Sequence, residues 1–126
     1  MSNKYKCFEK QKYLNLETFR KSGVGVKTPV WFVQDSEVLF VRTASDSGKV
    51  KRIRNNARVN IAPCKMDGAL SGYWIPAVAR EVNDPDIDRK VDKLLDRKYG
   101  LMKKLFSLAG GSNGRKYAIL EMKVSE

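Results

Sequence analysis

Residues 24–43 read VGVKTPVWFVQDSEVLFVRT, from Val24 to Thr43. Alternation runs through most of this stretch. Val24, Val26, Thr28, Val30 and Phe32 share one face, and Gly25, Lys27, Pro29, Trp31 and Val33 share the other. Period two with β-branched and aromatic residues predicts a strand over Val24 to Gln34. Pro29 has no N–H for a ladder, which places an edge or a bulge there. Asp35-Ser36-Glu37 turns the chain, and Val38 to Thr43 predicts a second strand. Strand, short polar turn and strand make an antiparallel hairpin.

Outward from this hairpin the pattern continues. Upstream, Tyr13 to Phe19 alternates and ends at the turn Lys21-Ser22-Gly23. Before it, Met1 to Lys12 is polar and lysine-rich, a short helix or a basic arm with Phe8 as its one large apolar anchor. Downstream, Ser45, Asp46 or Ser47 is placed to cap a helix over Gly48 to Asn55. Ala57 to Pro63 alternates again, and Met66-Asp67-Gly68 turns with glycine where positive φ is cheap. Tyr73 to Val82, carrying Pro76, is a further strand. Asn83-Asp84-Pro85 starts a helix, with Pro85 at its first position. Its Ile87, Val91, Leu94, Leu95 and Tyr99 form one apolar stripe, and Gly100 ends it. Leu101 to Leu108 predicts another helical turn or two, Ala109 to Gly114 a loop, and Lys116 to Val124 a last strand. Short connections between strands imply an antiparallel sheet, and six such strands tend to curl.

The chain has 126 residues, which is the size of one domain, here 1–126. It is 42% hydrophobic and 31% charged, a globular composition. No apolar run approaches the ~20 residues of a membrane helix. The opening Met1-Ser2-Asn3-Lys4 leads a polar, basic segment without an apolar signal core, so the expected place is the cytoplasm and no membrane partner is expected.

Histidine is absent, which removes Ser-His-Asp and Cys-His nucleophilic sites and His-ligated metals. Cys7 and Cys64 are too few for a four-cysteine metal site and read as small hydrophobes. No metal site and no histidine-based catalysis is therefore expected. The 25 basic against 14 acidic residues give a net charge of +11. Such a field attracts nucleic acid, an anionic membrane surface or a phosphorylated small molecule, and an ordinary solvated basic surface gives the same count.

Residues 42–52, Arg42-Thr43-Ala44-Ser45-Asp46-Ser47-Gly48-Lys49-Val50-Lys51-Arg52, narrow the choice. A strand ends, small hydroxyl residues follow, and a basic helix begins. A helix start leaves backbone N–H groups unpaired and partly positive. Ser47 adds a hydroxyl and Lys49 a full charge, which is the chemistry of a phosphate-sized anion site. The segment is not a Walker A loop, since the leading glycine is missing and Val50 follows the lysine. A capped surface helix with solvated lysines would carry the same local pattern.

Thr28-Pro29-Val30-Trp31-Phe32, the strand ending in Arg42-Thr43, and Ser47 to Arg52 together resemble the flavin-binding split-barrel superfamily that includes pyridoxamine 5′-phosphate oxidase. They are most similar to its branch of small enzymes that use the deazaflavin coenzyme F-420. The resemblance runs from about Tyr13 to Val82. It implies a mainly β fold, a six-stranded antiparallel split β-barrel with one or two packed helices, assembled as a homodimer with cofactor sites between subunits. It also implies a cofactor, coenzyme F-420 or FMN, and no catalytic side chain, because hydride transfer belongs to the cofactor.

Residue by residue, the resemblance implies that Thr28, Pro29, Val30 and Trp31 edge the flavin ring. Arg42 and Thr43 lie beside the ribityl–phosphate arm. Ser47 and Lys49 hold the phosphate, with Lys51 and Arg52 extending the positive end. Trp74 is a candidate for stacking on the ring or for the subunit interface, and also fits an ordinary core position. The carboxy-terminal tryptophan and arginine pattern that grips pyridoxal phosphate in the true oxidase has no counterpart in Lys116 to Glu126, so oxidation of vitamin B6 is not expected.

The expected function is an oxidoreductase passing a hydride between F-420 or FMN and an unsaturated small-molecule substrate. A carrier or sensor that binds the same cofactor without catalysis is the alternative. A nucleic-acid binder, stacking bases on Tyr13, Phe19, Trp31 and Trp74, is disfavoured, because those aromatics sit in strands that read as core and no RNP-type motif occurs.

Overall fold

The computed structural model describes residues 4–106 and 116–125. A 3₁₀ helix at Lys4–Phe8 leads into β1 (Tyr13–Phe19), β2 (Gly25–Val30), β3 (Val33–Asp35) and β4 (Val38–Ala44). Then come α1 (Gly48–Asn55), β5 (Arg58–Cys64), β6 (Ile75–Val82), α2 (Pro85–Tyr99), α3 (Leu101–Phe106) and β7 (Tyr117–Val124). The Ala109 to Gly114 loop and the end of the Leu101 to Leu108 helix lie outside the described residues. No described helix is long and apolar enough to cross a membrane.

All pairings are antiparallel, in one sheet of seven strands ordered β2-β1-β5-β6-β7-β4-β3. The expectation of six strands is corrected at one place. The predicted single strand over Val24 to Gln34 is two, β2 and β3, broken at Trp31 and Phe32.

The topology gives the reason. β2 and β3 are the opposite edges of the sheet, yet only two residues join them. Three Cα steps reach at most about 11 Å. The sheet must therefore curl until its edges nearly meet. A continuous strand cannot serve both edges, so the chain bends between them. The barrel is closed there by covalent chain rather than by a ladder, which is what makes it split.

The curl has an apolar interior. Leu14, Leu16, Leu39, Val41, Ile61, Leu120 and Met122 are fully buried and share one cluster. Alternation along the strands puts them on one face. Phe8 and Phe32 meet edge to face at 5.9 Å inside this cluster, and Val50 and Ile53 join it from α1. Burying a side chain of this size stabilises by roughly 1.5–3 kcal/mol each.

α2 covers the outer face. Val91, Leu95 and Tyr99 pack on Val33, Phe40 and Ile119, with Ile87 and Leu94 partly buried beside them, as the stripe predicts. Its ends follow the sequence signals. The Asp84 side chain accepts from the Asp86 N–H, Pro85 opens the helix, and Gly100 closes it at φ 47°.

Candidate functional site

The start of α1 joins four polar groups. Ser47 is the N-cap in extended conformation, yet its side chain makes no capping hydrogen bond. Its Oγ is buried and has no partner among the described residues. A buried hydroxyl without a partner costs about 1–3 kcal/mol, so the atom stands ready for a donor or acceptor.

Gly48 follows. A Cβ there would lie 2.6 Å from Arg52 Nη1, so the missing side chain makes room for the guanidinium over the first helical turn. Arg52 Nε donates to Thr18 Oγ1 at 2.7 Å, which fixes that guanidinium against β1. Lys49 is half-buried. Burial, and then the charge of Arg52, hold its ammonium below the ordinary lysine value. Ion pairs among the described residues use other cations, and none reaches Lys49 or Arg52. Two adjacent cations without a carboxylate, an unpartnered hydroxyl and a helix start together favour a bound anion. Lys51, also expected here, is exposed on the same helix.

The ring-edge residues lie on the neighbouring strand. Thr18 is the register partner of Val26, so the Arg52 contact sits beside β2 two residues before Thr28. At about 3.3–3.4 Å per residue, Thr28 to Trp31 extend roughly 7–17 Å beyond that point. Thr28, Pro29 and Val30 belong to an edge strand that, among the described residues, is bonded only to β1. Trp31 stacks on Tyr99, with centroids 4.2 Å apart and planes 9° apart. Trp74 is half-buried, with the Lys27 ammonium 5.4 Å from its ring centroid.

Arg42 is placed differently. It alternates with Val41 and reaches the α2 side of β4, where Nη1 donates to Asp92 Oδ1 at 2.8 Å. Its guanidinium also lies 5.4 Å from the Tyr117 ring centroid. Lys103 Nζ approaches the same Asp92 oxygen at 2.7 Å and Asp96 Oδ1 at 2.6 Å. Lys103 first and Arg42 second hold the Asp92 carboxyl below its usual range. Thr43, half-buried, falls on the opposite face with Leu39 and Val41. The structure thus gathers Ser47, Lys49 and Arg52, sets Thr28 to Trp31 alongside, and pairs Arg42 with α2.

Three participants escaped the sequence reading. Thr18 looked like one more inward residue of β1, and only the tertiary contact reveals it as the anchor of Arg52. Tyr99 belonged to the apolar stripe, although its ring backs Trp31. Asp92 lies fifty positions from Arg42, and no local pattern links them.

A family profile described as pyridoxamine 5′-phosphate oxidase matches residues 1–126. The chain belongs to the pyridoxamine 5′-phosphate oxidase family. Solved structures share its split-barrel fold. The heme storage protein HutZ of Vibrio cholerae is 17% identical with a TM-score of 0.73, covering 96% of this chain and 87% of that one. A conserved hypothetical protein of Mycobacterium tuberculosis is 18% identical with a TM-score of 0.73, over 100% of this chain and 82% of that one. A protein named F420 reductase is 20% identical with a TM-score of 0.65, over 100% of this chain and 96% of that one. At these identities the likeness concerns the fold. No curated protein matches the sequence.

Proposed function

We propose that this chain is an oxidoreductase of the cytoplasm that binds coenzyme F-420 or FMN and moves a hydride between it and an unsaturated organic substrate. One observation carries the reading. At the start of α1 a buried Ser47 hydroxyl, unpartnered among the described residues, lies with two cations, Lys49 and Arg52, that no carboxylate of the described residues neutralises. These residues fit a phosphate group. Ser47 Oγ would donate to one oxygen, Lys49 and Arg52 would supply charge, and the first-turn N–H groups of α1 would complete the cradle.

The bound cofactor supplies the hydride chemistry. The chain's own residues bind and orient. Arg52, held by Thr18, keeps its position without reorganising. Thr28, Pro29 and Val30 offer an open strand edge beside the cradle, and Trp31 is stiffened by its stack on Tyr99. Arg42 braces β4 against α2, with Thr43 lining the interior side. Lys51 adds long-range charge, which suits an anionic tail as well as a phosphate.

The long connection between β5 and β6 exposes Met66, Leu70 and Tyr73, the last at 90%. Apolar surface of this kind suits a second copy, and we assign the assembly as a homodimer, with Trp74 at or near that contact. A heme role like the one named for HutZ gains nothing from this sequence, which has no histidine for the iron. The test is titration with FMN and F-420 side by side, read by flavin absorbance and by fluorescence quenching, followed by assay of hydride transfer to activated alkenes. Saturable binding of one cofactor with turnover supports the reading. Binding without turnover leaves the carrier, and no binding of either removes both.

A further inference from the structure

A second basic site lies where the barrel is split, beside the Tyr13 start of β1, whereas Arg52 contacts Thr18 near that strand's other end. A groove of about 350 Å³ opens between the segment before β1, the Trp31-Phe32 crossing and the last turn of α2. Lys10, Gln11, Lys12, Gln34 and Lys98 line it, with Glu9 as the one carboxylate among the described residues on its wall.

Lys98 is half-buried there. Its Nζ donates to the Phe32 carbonyl at 2.9 Å and lies 3.4 Å from the Phe32 ring centroid. Lys12 Nζ donates to the Lys98 carbonyl at 3.1 Å, which brings a second cation to the same helix end. Lys10 is held at φ 64°, a left-handed conformation that a lysine adopts only when its surroundings impose it. None of these lysines belongs to the anion cradle at α1.

We propose that this groove binds a small carbonyl compound carrying a carboxylate or phosphate, and that Lys98 captures its carbonyl carbon as an imine. The anionic group faces Lys10 and Lys12, and the amides of Gln11 and Gln34 supply further donors. The neutral Lys98 amine adds to the carbonyl carbon, and the carbonyl oxygen takes up a proton to form a carbinolamine. That hydroxyl leaves as water, the nitrogen loses its second hydrogen to solvent, and the C=N bond remains. Amine and carbonyl are consumed, imine and water are formed, and nothing is oxidised or reduced.

The surroundings supply the neutral amine. Burial first, and the nearby Lys12 second, push Lys98 down to about 8 from the ordinary 10.5. The Phe32 carbonyl and ring favour the ammonium, and so does Glu9 on the groove wall, while Lys10 adds to the opposing charge. The Tyr99 hydroxyl is occupied, accepting from the Phe32 N–H at 2.9 Å and lying 2.8 Å from the Lys12 carbonyl. At pH 7.5 an amine with a value near 8 is about one-quarter neutral, against about 0.1% for an ordinary lysine. A less basic amine is a weaker nucleophile, so the net gain is on the order of tenfold.

The experiment uses the full chain, glyoxylate as anionic probe and propanal as uncharged probe, each trapped with cyanoborohydride and mapped by peptide mass spectrometry. Mapping separates the N-terminal amine from the lysines. The expected result is that glyoxylate labels Lys98 about tenfold faster than the other lysines. Its labelling rate should rise through pH 8 and then level off. Lys10→Gln should lower glyoxylate labelling of Lys98 severalfold and leave propanal labelling unchanged. Labelling of Lys98 no faster than of other lysines overturns imine capture. Equal response of the two probes to Lys10→Gln overturns the anionic ligand.

Discussion

Two clusters of basic residues, one joining β4 to α2 and α3 and one at the start of α1, differ in how their charge is met. At α2, Arg42 and Lys103 share Asp92, and Lys103 also reaches Asp96. At α1, no carboxylate of the described residues pairs with Lys49 or Arg52, and the hydroxyl beside them has no partner among those residues. The first cluster has already spent its charge on holding β4, α2 and α3 together. In the proposed reading, the second keeps its charge for a bound phosphate. Sequence alone ranks Arg42 and Lys49 alike, as two cations in one eleven-residue segment. Only the counter-ion census separates a brace from a binding site.

The largest expected break comes from Lys49→Ala. A charge-assisted hydrogen bond contributes about 1.5–3 kcal/mol, so cofactor affinity should fall about ten- to hundredfold. Thermal stability should hold, since half-exposed Lys49 has no hydrogen-bond or ion-pair partner among the described residues. Raised salt should weaken the wild type more than the variant, and Lys116→Ala should change little. An unchanged affinity for Lys49→Ala would make α1 only a surface helix.

Ser47→Ala sharpens the contrast with a smaller effect. A neutral hydrogen bond is worth about 0.5–1.5 kcal/mol, so affinity should drop roughly two- to tenfold. The free protein should not lose stability, because the side chain caps nothing and its oxygen is unpartnered. A lower melting temperature for Ser47→Ala would mean that the hydroxyl serves the fold instead.

Arg42→Ala should act the other way round. Partly exposed ion pairs contribute about 1 kcal/mol or less, and Asp92 keeps Lys103, so a small loss of stability with affinity within about threefold is expected. The pH dependence has a definite sign. Asp92 is held below its ordinary 3.8, so its pairing stabilises the fold above that value and is lost as pH falls below it. Arg42→Ala should shrink this acid-side loss slightly, as read from melting temperatures between pH 5 and 2. An affinity loss as large as that of Lys49→Ala would dissolve the distinction between the two clusters.

Much of the fold was legible because period and punctuation agree. Tyr13 to Phe19, Gly48 to Asn55 and Pro85 to Tyr99 stand where alternation, capping residues, Pro85 and Gly100 put them. The seventh strand was hidden in Val24 to Gln34, since alternation runs smoothly across Trp31 and Phe32. The break there answers to sheet closure, a long-range demand that leaves no local mark. The site divides the same way. Ser47 and Lys49 are readable from a strand end followed by a basic helix start. The Thr18 anchor and the Asp92 partner come from register and packing between segments far apart in sequence. The Lys98 groove was missed because a lysine in a helix's last turn looks like ordinary dipole pairing.

The central claim is that the α1 start holds a phosphate, and the most direct measurement isolates that group. Calorimetric titration compares FMN with riboflavin, and F-420 with its deazaflavin core lacking the phosphodiester, on the wild type and on the double variant Lys49→Ala, Arg52→Ala. The account predicts that the phosphate-bearing member of the preferred pair binds the wild type at least about tenfold tighter than its counterpart. It predicts that the double variant erases most of that gap while leaving the weaker member's affinity in place. Equal affinities within each pair on the wild type, or a gap that survives the double variant, would contradict it.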